Sequence, residues 1–321
     1  MRLGQLNNVR SKELLRSYMA GREVSTMRTY NSAFRKLARF CSMKNISLFR
    51  LAEGEMIALV NTLSGQGCSE GSIKQVLAVV NLLYEAGGWA TPTRSNILSK
   101  VKVGVWKEVN EGKRRKQRKV LTVDDIKKMY KDIYKTGQRI ERKRFLLMMV
   151  VSFFGMRRFS EVAGLKDRDV TVQADGSIRV WVTKSKTDKT RKGFEFTITG
   201  ARAGSFQVLK LLRWYRRSLP GVIPEDGFLF PMFRTGGRPD WGNQVSYNAA
   251  RVQLIKERER LGLGCITWHS GRIGAATGAA KKGVSRRVIS KGGNWVSDAV
   301  DIYTVVEEPG VIVGDALLED F

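Results

Sequence analysis

The sequence predicts a mainly helical protein with one small antiparallel β-sheet, arranged as a helical N-terminal domain and a larger C-terminal domain. Three observations carry that reading. Apolar residues recur at three- and four-residue steps along most of the chain, the mark of helices with one buried face. Strand-like alternation of apolar and polar residues is confined to two short runs, 177–183 and 193–198. The periodicity lapses over residues 108–120, where charge peaks, and 321 residues are enough for a core on either side of that break.

In the first domain, residues 1–107, Ser25 and Thr26 are placed to cap a helix bearing Met27, Tyr30, Phe34, Leu37 and Phe40, with Arg28, Arg35, Lys36 and Arg39 elsewhere on it. A second helix covers about 53–63. Gly71 and Ser72 precede a third, whose apolar side holds Ile73, Val76, Leu77, Val80, Leu83 and Tyr84. Gly87, Gly88 and Pro92 break the pattern, and a shorter helix over about 95–107 closes a bundle of four or five. The linker 108–120 contains Lys113, Arg114, Arg115, Lys116, Arg118 and Lys119, six basic residues in a run of seven. Such a run is a solvated linker, an import signal or a phosphate-binding strap.

The second domain, 121–321, opens with Thr122 as a helix cap and Asp124 and Asp125 in the first turn, where a carboxylate complements the helix dipole. Residues 145–154 are almost wholly apolar and form a buried helix. The two alternating runs make a hairpin whose nine-residue connection, Lys184 to Lys192, is strongly basic. Further helices are expected over 206–219, with Phe206, Leu209, Leu212 and Trp214 inward, and over 243–261, with Val245, Ala249, Val252 and Ile255 inward. A helix over 267–282 sets His269, the sole histidine, and Arg272 on one face. Two donors side by side suit a phosphate, because the planar fork of arginine meets two oxygens at once.

Composition narrows the partner. A formal net charge of +27, from 57 lysines and arginines against 30 carboxylates, favours a polyanion. Three scattered cysteines with no CxxC and a single histidine leave no structural metal cluster. No GxGxxG, P-loop, HExxH or two-metal carboxylate cluster occurs, so no cofactor is expected and ATP- or metal-dependent mechanisms are disfavoured. No apolar run approaches about 18 residues and no signal peptide opens the chain, so an intracellular, soluble protein with no membrane partner is expected.

The segment His269-Ser-Gly-Arg272-Ile-Gly-Ala-Ala, followed by Lys282-Gly-Val-Ser, Gly292-Gly-Asn-Trp295, Tyr303 and Leu317-Leu-Glu-Asp320, resembles the C-terminal stretch of the tyrosine recombinases, the phage-integrase family. Arg158-Phe-Ser-Glu161 resembles that family's arginine segment. Trp295 to Tyr303 is eight steps, one fewer than usual in the family and similar to recombinases of eukaryotic tyrosine-recombinase retroelements. The resemblance implies a helical core-binding domain and a catalytic domain that close as a clamp on DNA. Tyr303 would be the nucleophile that forms a 3′-phosphotyrosine. Arg158 and Arg272 would brace the phosphate oxygens, with Glu161 orienting the fork. Spacing to the Ser-Glu pair selects Arg158; spacing from Gly155 selects Arg157. Lys186, or else Lys184, would protonate the leaving oxygen. His269 would assist as acid/base, and Trp295 would supply an indole N–H and packing.

The implied function is site-specific recombination of double-stranded DNA through a four-way junction, by a homo-tetramer on paired sites that exchanges its apolar C-terminal tails. It would act in the nucleoid or cytoplasm of a prokaryotic or phage setting, or in the nucleus if the chain serves a eukaryotic mobile element. Two alternatives keep the fold: a type IB topoisomerase-like enzyme that relaxes DNA, and a catalytically retired DNA-binding or architectural protein. Arg28, Arg35, Lys184 and the linker basics are the candidate DNA-backbone contacts. If the linker lies on phosphates, neutralising Arg114, Arg115 and Arg118 together flattens the salt dependence of DNA affinity and leaves sequence preference intact. An unchanged slope in salt titrations marks the run as a solvated linker or an import signal.

Overall fold

The computed structural model describes residues 24–302, apart from 113–118, 137, 138, 187, 189, 199–207, 296 and 297. The chain divides between Arg115 and Lys116 into two units, each with its own apolar core.

The first unit contains four α-helices among its described residues: α1 (Val24–Lys44), α2 (Glu53–Gly65), α3 (Glu70–Gly87) and α4 (Asn96–Asn110). Short polar side chains start them. Ser69 Oγ accepts the Ser72 N–H at the head of α3, and Ser95 Oγ accepts the Leu98 N–H at the head of α4. Gly88 closes α3 in the left-handed conformation. Leu37, Met56, Leu59, Ile73, Val76, Val80 and Leu98 meet in the core. The Tyr84 hydroxyl accepts the Leu51 N–H at 2.6 Å and ties the α1–α2 connection to α3. The helix count agrees with the sequence pattern, but details differ. Ser25 and Thr26 lie inside α1 rather than capping it. Phe34 is 41% exposed, because the inward stripe is Ala33, Leu37, Phe40 and Cys41. The last helix runs to Asn110, past the expected end at 107.

The second unit begins with α5 (Val123–Thr136). Thr122 Oγ1 accepts the Asp125 N–H at 3.1 Å while the Asp125 carboxylate accepts the Thr122 N–H at 3.0 Å, so cap and third residue satisfy each other. Next come α6 (Ile140–Phe154), whose residues 144–153 are all buried, and the single turn α7 (Phe159–Ala163). Strands β1 (Val170–Val172), β2 (Ile178–Val182) and β3 (Phe194–Ile198) form an antiparallel sheet in that order, with Ile178 opposite Ile198 and Val182 opposite Phe194. Then follow α8 (Val208–Ser218), β4 (Pro231–Phe233), β5 (Pro239–Gln244), α9 (Tyr247–Leu261), α10 (Trp268–Lys281) and α11 (Arg286–Gly293). A 3₁₀ turn over Asp298–Ile302 ends the described chain.

A second small sheet, β4 with β5, was not expected. Residues 239–244, Pro-Asp-Trp-Gly-Asn-Gln, lack alternation, and residues 243–244 were assigned to the following helix. Pairing with Phe233 and Met232 and the Arg234–Asp240 ion pair at 2.9 Å make this segment a strand. Ser246 instead caps α9, whose buried face is Ala250, Leu254, Glu257 and Leu261 rather than Ala249 and Val252. Among the described residues no helix is long and apolar enough to cross a membrane.

The apolar helix α6 forms the middle of the second core, and α10 packs directly along it. Helix α10 also passes close to the backbone that enters α5, and that approach needs glycine. A Cβ on Gly274 would run into the backbone carbonyl of Leu121, whereas a Cβ on Gly278 would meet nothing. Gly274→Ala should therefore lower stability by about 3 kcal/mol through overpacking. Gly278→Ala, in the same helix, should be neutral or stabilise by up to about 1 kcal/mol. Urea unfolding of the two variants checks the contrast, and equal effects would contradict the packing.

Candidate active site

The site is organised by the turn that ends α6. Met156 sits at φ +54°, an unusual conformation for a side chain with a Cβ. The turn is held from both sides: the Arg157 N–H donates to Ser152 O at 2.9 Å, and the Ser152 hydroxyl donates to Arg157 O at 2.8 Å. Three consecutive residues then address three partners. The Met156 carbonyl accepts Nη1 of Arg272 at 2.8 Å. The Arg157 side chain turns into the interior. Arg158 becomes the cap residue of α7 and reaches Glu161.

Glu161 is the hub. Its carboxylate is completely buried, yet it accepts Nη1 of Arg158 at 2.7 Å, the Arg158 backbone N–H at 3.0 Å and the Ser185 hydroxyl at 2.8 Å. Nη1 of Arg272, also fully buried, lies 4.0 Å from its other oxygen. Burial by itself would raise the Glu161 pKa. The Arg158 N–H, the Ser185 hydroxyl and the Arg158 guanidinium outweigh it and hold the carboxyl below the usual range. One carboxylate thus brings together α7, α10 and the base of the hairpin, since Ser185 lies between Lys184 and Lys186.

The other candidates fall around this hub. Lys184 and Lys186 are exposed on the hairpin connection. His269 lies half-buried in the first turn of α10, its N–H donated to Thr267 Oγ1 at 3.2 Å. The Trp295 ring lies on the Arg272 guanidinium, 4.0 Å from ring centroid to Cζ. Gly293 makes this possible, because a Cβ there would occupy the space of the indole. The segment leading to Tyr303 is tied back on α11: Arg286 pairs with Asp298 at 2.5 Å and Asp301 at 2.6 Å, and Val300 is buried with Ala276 and Ile289. These two carboxylates push the Arg286 pKa upward, Asp301 most.

Of the residues the sequence singled out, the structure brings together Arg158, Glu161, Arg272 and Trp295 and attaches the Lys186 hairpin to them through Ser185. Tyr303, the tail, and Lys113, Arg114, Arg115, Lys116 and Arg118 lie outside the described residues. Lys119 pairs with Asp125 at 3.0 Å at the start of α5. Arg28 and Arg35 are exposed on α1. The two adjacent arginines separate cleanly: Arg157 is 1% exposed and its guanidinium is committed to interior groups, whereas Arg158 retains partial exposure beside Glu161. Sequence reasoning passed over Ser185 and Arg286. A serine between two lysines carries no signal of its own. The Arg286 clasp needs the 298–302 turn to bring two aspartates to one fork.

No protein-family model matches the chain. It is 26% identical over 306 residues to the recombinase Cre of Escherichia phage P1, a match that covers 90% of this chain and 86% of that protein. Among solved structures, it superposes on the XerH site-specific recombinase bound to a palindromic difH substrate with a TM-score of 0.63 at 18% identity, covering 91% of this chain and 79% of that one. It superposes on a lambda integrase dimer bound to a COC′ core site with a TM-score of 0.62 at 18% identity, covering 96% and 97%. For the Tn1549 transposon integrase in complex with transposon right-end DNA the TM-score is 0.63 at 12% identity, covering 97% and 98%. The architecture is therefore the tyrosine-recombinase fold. Over nine-tenths of its length the chain is similar in sequence to the recombinase Cre.

Removing the hub charge tests its weight. Glu161→Gln leaves Arg158 and Arg272 without their buried counter-ion and should destabilise the second unit by about 3 kcal/mol. Because the folded carboxyl is held below its ordinary value of about 4.3, the carboxylate's contribution is complete above that pH and lost as pH falls through the folded value. The stability gap between wild type and Gln should thus be constant near neutrality and shrink in acid. A gap independent of pH would deny that the carboxylate charge matters.

Proposed function

We propose that the chain is a site-specific DNA strand transferase that cleaves and rejoins duplex DNA through a 3′-phosphotyrosine at Tyr303. The observation that carries this reading is the shared Glu161 carboxylate. It pairs with Arg158, lies 4.0 Å from Arg272 and accepts the hydroxyl of Ser185, the neighbour of Lys186, so two arginines and the base of the hairpin meet at one carboxylate. The relatives with DNA in their described complexes support the choice of partner.

In the forward step the Tyr303 oxygen bonds to phosphorus while the bond from phosphorus to the 5′-oxygen breaks. The Lys186 ammonium gives a proton to that oxygen, a general-acid contribution of roughly 10²–10⁴ in rate. His269 assists the tyrosine proton. Arg158 and Arg272 balance charge on the non-bridging oxygens. The phosphodiester energy stays in the covalent link, so attack by the free 5′-hydroxyl reseals the strand without ATP. The Trp295 indole lies on the face of the Arg272 guanidinium, and a face contact leaves the in-plane N–H edge to donate to phosphate oxygens. The helical unit 1–107 and the basic linker 108–120 hold the duplex, and the catalytic unit 121–321 performs the chemistry. Four protomers on paired sites exchange tails to couple cleavage between neighbours and resolve a four-way junction.

A pool of random-sequence duplexes with a nick that lets the short fragment bearing the free 5′-hydroxyl escape recovers the preferred site as a covalent adduct. Wild type should form the adduct on denaturing gels. Tyr303→Phe should bind but form none, and Arg158→Ala and Arg272→Ala should each slow capture by about 10²–10³-fold. An adduct with the Phe variant would remove Tyr303 as nucleophile. Selective binding without any adduct from wild type would favour the retired DNA-binding reading, and relaxation by a strict monomer the topoisomerase reading.

A further inference from the structure

Arg157 is a buried cation with no catalytic assignment. It is 1% exposed. Its Nε donates to the Gly155 carbonyl and its Nη2 to the Gly292 carbonyl, while Nη1 is buried without a hydrogen bond among the described residues. The guanidinium lies against two aromatic rings of β3, 4.9 Å from the Phe194 centroid and 4.8 Å from that of Phe196. Burial pulls its pKa down to about 10, against the attraction of Glu161, so it stays charged at neutral pH.

An interior that only needed filling would hold Met or Leu here, since a buried charge costs more than it returns unless geometry is the gain. The geometry is specific. Gly292 belongs to the last turn of α11, where carbonyls have no helical partner and a cation is favoured. Phe194 and Phe196 are on the return strand of the hairpin that carries Lys186, and a Cβ on Gly155 would collide with Phe196. The side chain therefore joins the end of α6, the return strand and the C-terminus of α11.

We propose that Arg157 is a positioning residue for strand cleavage: anchored on Gly292, it holds β3 through Phe194 and Phe196 and so sets where the hairpin presents Lys186. The proposal rests on the reading of Lys186 as the acid that protonates the leaving 5′-oxygen. Losing the clamp leaves both phosphate-binding arginines on Glu161 but lets the hairpin shift, and a misplacement of about 1 Å can cost about 10²-fold in rate.

The test uses the full chain, the duplex recovered by covalent capture, and the same duplex with sulfur in place of the scissile 5′-oxygen. When the phosphorus–sulfur bond breaks, the thiolate leaves without needing a proton, so loss of the acid no longer matters. Arg157→Met should keep its melting temperature close to wild type, slow single-turnover cleavage of the ordinary duplex by about 10–10²-fold, and cleave the sulfur duplex at nearly the wild-type rate. Phe196→Leu should show the same pattern more weakly, and Arg157→Lys, which keeps the charge but not the fork, should fall between. These two variants carry the test if Arg157→Met does not fold. Lys186→Ala is the control, slow on oxygen and rescued by sulfur. Normal cleavage by Arg157→Met, or equal slowing on both duplexes while Lys186→Ala is rescued, overturns the positioning role. Failure of sulfur to rescue Lys186→Ala instead removes Lys186 as the acid, and this proposal with it.

Discussion

Everything at the site depends on one carboxylate being buried and charged. Glu161 is enclosed by the second core, yet its pKa is held below the ordinary range by a backbone N–H, a hydroxyl and a guanidinium. A buried carboxylate that stays ionised demands cations, and it obtains them from two places far apart in sequence, Arg158 and Arg272. The mutual requirement works in both directions. Without Glu161, two guanidinium groups would face each other at close range in a poorly solvated place, which like charges resist. With it, both stay charged and in place at the end of α6.

The turn that ends α6 gives this arrangement its precision. A left-handed residue at Met156 sends its carbonyl to Arg272 and frees the next two side chains to point in opposite directions, one inward and one toward Glu161. The conformation is held by the reciprocal Ser152–Arg157 backbone and hydroxyl bonds, so it is anchored in the most buried helix of the unit. Rigid support matters because the chemistry attributed to the site requires charge to be in position before the phosphate changes geometry. The packing of α10 along α6 extends the same support to Arg272.

Arginine does several different jobs here, and burial separates them. Arg158 is partly exposed and paired. Arg272 lies beneath an indole. Arg157 is clamped between carbonyls and rings, and Arg286 is a surface clasp on Asp298 and Asp301. A net charge of +27 points to a polyanion, but the charge total cannot tell these roles apart.

The sequence by itself indicated most helices of both units, though not α7 or α11, together with the buried run 145–154, the hairpin and the candidates Arg157 or Arg158, Glu161, Lys186, His269, Arg272, Trp295 and Tyr303. Each of these rests on local periodicity, on capping chemistry or on a linear motif, and all three are written in neighbouring residues. Tertiary structure decided the rest. Whether Arg157 or Arg158 faces Glu161 turns on a single left-handed residue that spacing does not reveal. The β4–β5 pair has no alternation to announce it, because its strand state comes from its partner. Ser185 acquires its role only when the hairpin base reaches α7, and Arg286 only when two aspartates curl back on it. Contacts between residues distant in the chain have no local period, so only packing can place them.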